Sequence, residues 1–434
     1  MKKTTLLLSA ALLAAFPMVS STAQDTKDEI RKTGWNFGPL PVVGFDSDLG
    51  FQYGVCCDIF NYGDGTNYPQ YNFKINVEAS TYTKGSSVLR SYGDFKTLIP
   101  NGKLFYDVTY FNAPKFGFYG FNGLAAPYDK DKKLNGNADA KSGFNFMSRN
   151  QFRAIVSIQK QIAGPLNWAA GLAFYHTTLA GLGLEEYEGQ TTLYDLYKLP
   201  DVGLIRENEK DGGNVTQLRA GLTYDTRDHD SDPSKGMNIE ATLVYSPDII
   251  DGNGYDNLGF TFMGSHFVPV ISDKLTFAYR LLVQAKLWGE IPYYFTNNVN
   301  SMFFRKMYTE AIGGNASVRG LNRNGVLGDG FALLNMELRW HAVDFQLINQ
   351  NWSIVLNPFY DLGRTIQPYR YEQQKASPIT GIWSGQADDM HYTAGLGVKI
   401  IMNHNMVLSI EGAKALLKND GSGLWTNVGF NYLF

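Results

Sequence analysis

The sequence predicts an all-β fold, a single 16-stranded antiparallel transmembrane β-barrel, and three observations carry that expectation. Runs of about a dozen residues alternate apolar and polar side chains, the period of a strand with two different faces. These runs are longer than the ~5–6 residues usual for a soluble strand and match the ~9–11 that cross a bilayer obliquely. The connections between runs alternate between short turns and long segments, the asymmetry of an outer-membrane barrel. Composition agrees, with 45 glycines, 26 tyrosines, 28 phenylalanines and 44% hydrophobic residues in a chain of 434.

The chain opens with Lys2 and Lys3, an apolar stretch from Leu6 to Val19, and the small residues Ser21-Thr22-Ala23. That order reads as a signal peptide over residues 1–23. Gln24 to Asn36 is then expected as a short periplasmic segment, with the barrel occupying 37–434. Strands are predicted at 37–45, 50–60, 71–83, 86–97, 103–112, 146–161, 166–178, 214–226, 236–246, 255–268, 275–287, 330–340, 352–362, 390–401, 406–416 and 423–434.

The clearest runs set the parity. Phe73, Ile75, Val77 and Ala79 share one face against Lys74, Asn76, Glu78 and Ser80; Leu275, Phe277, Tyr279, Leu281 and Val283 oppose Thr276, Arg280 and Gln284. One face is apolar and the other polar, the lipid-out, water-in pattern. Sixteen strands put Ile99–Gly102, Ile162–Pro165, Ser272-Asp273 and Asn403–Asn405 on the periplasmic side. The long segments 113–145, 179–213, 288–329 and 363–389 then all fall outside. They read as irregular and polar, and 181–214, rich in Asp and Glu, reads as a solvated acidic loop.

Other chemistry is poorly supported. A net charge of −3 and a pI near 6.1 give no electrostatic case for nucleic acid. Cys56 and Cys57 are adjacent, so on a strand they point to opposite faces and do not bridge readily. Asp225, Asp228, His229, Asp230 and Asp232 could supply oxygen ligands to Ca²⁺, but a glycine-anchored acidic turn explains them, and no metal or other cofactor is expected. A phospholipase would need a Ser/His pair with an orienting residue; Gly-x-Ser-x-Gly is absent, and no enzyme is expected.

The densest stretch is Ala311 to Arg364. Arg319 stands in a glycine-rich loop with Gly313, Gly314 and Gly320, which would let the loop turn back inward. By parity Leu334, Met336, Leu338 and Trp340 face lipid, leaving Asn335, Glu337 and Arg339 in the lumen. Val355, Asn357, Phe359 and Asp361 likewise face inward. Two lumenal carboxylates on successive strands could pair an arginine drawn inside, whose charge is costly to bury alone.

These segments, GGNASVRGL, NMELRW and NPFYDLGR, resemble three successive motifs of the BamA/TamA outer-membrane barrel superfamily, the bacterial surface antigens. Tyr224-Asp225-Thr226-Arg227-Asp228, with Pro233 and Gly236, is similar to that family's periplasmic turn. The resemblance implies that the sixth external loop inserts into the barrel through the motif Gly313, Gly314, Val318, Gly320 and Leu321. It implies that Arg319 locks the loop there against Glu337 and Asp361. Leu321 stands where Phe or Tyr is usual. The final segment, with Phe430, Tyr432 and Phe434 directed outward, resembles the C-terminal signal by which the barrel-assembly machinery recognises its clients.

The implied function is protein insertion or translocation at the bacterial outer membrane, in contact with its lipid. Family members usually carry periplasmic polypeptide-transport-associated domains of ~75 residues, and Gln24–Asn36 is too short for one, so a separate periplasmic partner is expected. Pro39 and Pro41 in the first strand cannot donate to a ladder, as a weak seam with the last strand would require. The alternatives are a passive or partner-gated channel, or a structural surface barrel.

Overall fold

The computed structural model describes residues 32–434 except 67–70, 137–139, 273, 304–309, 311, 348–349, 380, 403–405, 421–422 and 431. The expected signal peptide, most of the segment 24–36, Asp273 and the turn Asn403–Asn405 lie outside the described residues.

Sixteen strands close into one barrel, each antiparallel to its sequence neighbours. They are β1 (Trp35–Asp46), β2 (Gly50–Asn61), β3 (Phe73–Tyr82), β4 (Ser87–Phe95), β5 (Gly102–Gly117), β6 (Phe146–Ala163), β7 (Leu166–Ala180) and β8 (Gly212–Asp225). The second half comprises β9 (Gly236–Ser246), β10 (Asn257–Ile271), β11 (Leu275–Gly289), β12 (Gly330–Leu347), β13 (Gln350–Gln367), β14 (His391–Met402), β15 (Met406–Ala415) and β16 (Trp425–Phe430). Closure pairs backbone groups that would be orphaned in hydrocarbon and removes the sheet's free edges.

Burial follows the alternation. On β12, Asn335, Glu337 and Arg339 are buried while Leu338 and Trp340 are 42% and 50% exposed. The lumen is therefore polar and must satisfy its own charges. Near one wall Asp107 accepts from Arg90 and Arg153, each at 2.7 Å. Cys56 and Cys57, on β2, are free thiols.

Three expectations need correction. The long loops are not simply irregular, polar caps. Phe118 and Phe121, Leu193, Tyr194, Leu196 and Tyr197, Tyr293 to Phe295 and Tyr369 come from four of them and share one apolar cluster. Phe121 lies 4.8 Å from Tyr369 and 5.0 Å from Tyr197, ring to ring. In the acidic 181–214 loop most carboxylates are exposed, yet Glu209 is fully buried, where it accepts from the N–H of Tyr293 at 3.0 Å and pairs with Arg370. A loop long enough to bring apolar residues together builds its own core, which charge counting does not register.

Second, three strands run well past their predicted ends: β5 to Gly117, β12 to Leu347 and β13 to Gln367. The outward series Val343, Phe345 and Leu347 continues beyond Trp340, after a register shift between His341 and Val343.

Third, β16 stops at Phe430 rather than running to Phe434. Phe430 is exposed as expected, but Tyr432 is 3% exposed, with the Arg339 guanidinium 3.8 Å over its ring. Arg339 also donates to the Phe434 carbonyl at 2.8 Å. Past Val428 the strand has no β1 partner among the described residues, and the lumenal cations Arg280, Arg339 and Lys399 attract aromatic faces inward.

Candidate functional site

Two features of the barrel stand out, a buried ion network and the join between its first and last strands. The network centres on Arg319, in the 290–329 loop between β11 and β12. Its Nε and Nη2 donate to the two oxygens of Asp361 at 2.8 and 2.9 Å, a bidentate fork, and its backbone N–H adds 3.1 Å to Oδ2. Nη1 donates to Glu337 Oε1 at 2.7 Å and to Glu411 Oε1 at 2.9 Å. The guanidinium also lies 3.6 Å above the Phe359 ring.

Arg319 and its carboxylate partners are almost wholly removed from water. The network balances its charge: Arg339 Nε donates to Glu337 Oε2 at 2.9 Å, and Lys399 Nζ to Glu411 Oε1 at 2.5 Å. Three cations thus face three carboxylates drawn from β12, β13, β14, β15 and the loop. Each charge is desolvated, so each depends on its partners.

The sequence singled out Arg319, Glu337 and Asp361, and the structure brings them together. It did not single out Glu411 or Lys399. Inward parity on β14 and β15 places Lys399, Ser409 and Glu411 in the lumen, a signal that was available.

The loop motif surrounds the arginine. Gly313 has φ 108°, and a Cβ there would stand 2.0 Å from the Asn322 carbonyl, so no other residue fits. Gly320 has φ 99° and sits against Ala413 and Lys414 of β15. Val318 and Leu321 are buried beside Leu282, Phe331 and Leu333. Asn335 Nδ2 donates to the Ser317 carbonyl at 2.7 Å, and Arg280 Nη2 to the Ala316 carbonyl at 3.1 Å. The aliphatic Leu321 fills this apolar pocket without a ring.

The join is thin. β1 pairs with β2 through twelve residue pairs, but among the described residues it pairs with β16 through only Phe45↔Val428 and Asp46↔Asn427. Just beyond, Ser47 N–H donates to the Thr426 carbonyl at 3.1 Å, and Thr426 N–H donates to Ser47 Oγ at 2.8 Å. From Trp35 to Gly44, β1 has no partner on the β16 side among the described residues. Pro39 and Pro41 lie inside β1, two residues apart, so their missing N–H groups fall on one edge.

The acidic turn between β8 and β9 uses its oxygens internally. Asp225 pairs with Arg227 at 2.7 Å, and Asp228 accepts from the N–H groups of His229 and Ser234, each at 3.0 Å. Asp232 is buried with His341 Nε2 at 3.8 Å.

Residues 70–431 match the Omp85 superfamily domain. No curated protein matches the chain. Among solved structures, the chain is similar to BamA from Haemophilus ducreyi lacking POTRA domains 1–3, with a TM-score of 0.54 and 14% identity over 99% of this chain and 79% of that one. It is also similar to CdiB from Acinetobacter baumannii, with a TM-score of 0.50 and 13% identity over 92% of this chain and 60% of that one. At such identities the likeness is one of fold.

Proposed function

The chain belongs to the Omp85 superfamily, and on that premise we propose that it inserts or translocates polypeptides at the bacterial outer membrane through its first–last seam. The supporting observation is the inequality of its ladders, two residue pairs at β1–β16 against twelve at β1–β2. A sheet parts where the fewest bonds must break. The unpaired edge Trp35–Gly44 then offers backbone groups to an extended client strand, the chemistry of β-augmentation. The Arg319 network holds the loop while the wall beside it moves, and Phe430 serves in the chain's own recognition for assembly. Residues 1–23 act as the export signal, and delivery of clients falls to a separate periplasmic partner.

The aromatic cluster of the long loops favours this reading over a passive channel, because it places bulky side chains across one end. Reconstitution separates the two. Vesicles containing the chain should accelerate insertion of an unfolded outer-membrane barrel over empty vesicles. Steady conductance in planar bilayers, without faster insertion, would support the channel and contradict the proposal.

A further inference from the structure

The loop that carries Arg319 continues to the seam and there bonds both strands. Arg323 Nη2 donates to Asp46 Oδ2 at 2.5 Å, and its backbone N–H donates to Asp48 Oδ2 at 3.0 Å. Asp46 is one of the two β1 residues paired with β16. Its other oxygen organises the β1–β2 turn, accepting from the N–H groups of Asp48 at 2.8 Å and Leu49 at 3.2 Å. On the opposite strand, Asn315 Nδ2 donates to Asn427 Oδ1 at 3.2 Å. Asn427 is the residue that faces Asp46 across the join. One loop therefore holds both members of the same cross-seam pair.

We propose that residues 312–326 form a clamp on the β1–β16 seam, gripping β1 through Arg323 and β16 through Asn315. The proposal rests on the reading of the seam as the working opening, and it names the element that sets how readily the seam parts.

The energetics follow from burial. The Arg323 and Asp46 side chains are each 4% exposed, so water competes little for their bond, and a charge-assisted contact there outweighs a ladder bond. Glu310 Oε2 lies 3.5 Å from Arg323 Nη1 and adds a second carboxylate. Four residues before Arg323, Arg319 is fixed to β12, β13 and β15. The loop is thus anchored in the body of the barrel and reaches across to β1. Where the ladder is two pairs long, such a brace carries much of the load. Parting the seam requires Arg323 to release Asp46, Asn315 to release Asn427, or the whole loop to leave its network.

Hydrogen exchange on the full chain in lipid nanodiscs tests this. Arg323→Gln keeps most of the side-chain volume but removes the charge. It should raise exchange at residues 44–47 and 426–428 by tenfold or more while leaving β12 and β13 unchanged. Asp46→Asn, which retains an oxygen for the turn N–H groups, should reproduce that local rise. Unchanged seam exchange in either folded variant would overturn the clamp, as would a uniform rise through all strands, which would mark Arg323 as a general support. If a covalently closed seam still inserts clients while Arg323→Gln loosens exchange, the functional reading fails and the clamp stands. If exchange is unmoved while closure blocks insertion, the reverse holds.

Discussion

Arg319 shows what a desolvated charge demands of its neighbours. Removing it strands Asp361, Glu337 and Glu411 together in a lumen without their shared cation. Breaking one buried pair costs about 3–5 kcal/mol, so Arg319→Ala should lose at least about 3 kcal/mol of stability on that basis. Denaturant titration of the purified barrel, followed by gel mobility of folded and unfolded forms, measures this. Arg319→Lys should recover only part of the loss, because a compact ammonium cannot bond Asp361 bidentately while reaching Glu337 and Glu411. A variant as stable as wild type would remove the network's claim to lock the loop. Parity made Glu337 and Asp361 legible, since a strand's facing is a local property, while Arg319 stood out through its glycine-rich loop. Tyr432 was placed outward by the same parity, and that failed because parity holds only while the strand lasts. The attraction of its ring to Arg339 comes from β12, far off in sequence.

Among the elements, the strands were legible and their ends less so. All sixteen were expected within a few residues, apart from the extensions of β5, β12 and β13 and the shortening of β16. An alternating run announces a strand anywhere, but its end depends on whether a neighbour continues. The β8–β9 turn illustrates a local device with a pH signature. Burial would raise the carboxyl of Asp228, but the Ser234 hydroxyl and the N–H groups of Ser234, Lys235 and His229 outweigh it and hold the group below its ordinary value. A depressed folded value stabilises above the unfolded value of about 4, and that stabilisation is lost as pH falls through the folded one. Protection of residues 226–235, taken relative to intrinsic exchange at each pH, should therefore stay high at neutral pH and fall on acidification below about pH 4. In Asp228→Asn the turn should exchange faster at neutral pH and lose this acid dependence. An acid response retained in that variant would assign it to another group.

For the whole molecule, closure into a barrel and an unequal set of ladders are two sides of one constraint. Fifteen of the sixteen joins are between sequence neighbours; only β1–β16 must join the chain's distant ends. The sequence hinted at its weakness through Pro39 and Pro41, but not at its length, which depends on where β16 leaves the wall. Nor could it show that the Arg319 loop reaches β1, since the approach of Arg323 to Asp46 spans 277 residues. The most direct measurement of the central claim is a covalent seam. In a Cys56→Ser, Cys57→Ser background, Phe45→Cys and Val428→Cys can be joined by a short thiol cross-linker and the barrel reconstituted in vesicles. The cross-linked barrel should stay folded and lose client insertion, with activity restored when a cleavable linker is cut. Insertion at the uncross-linked rate through a fully closed seam would contradict that claim.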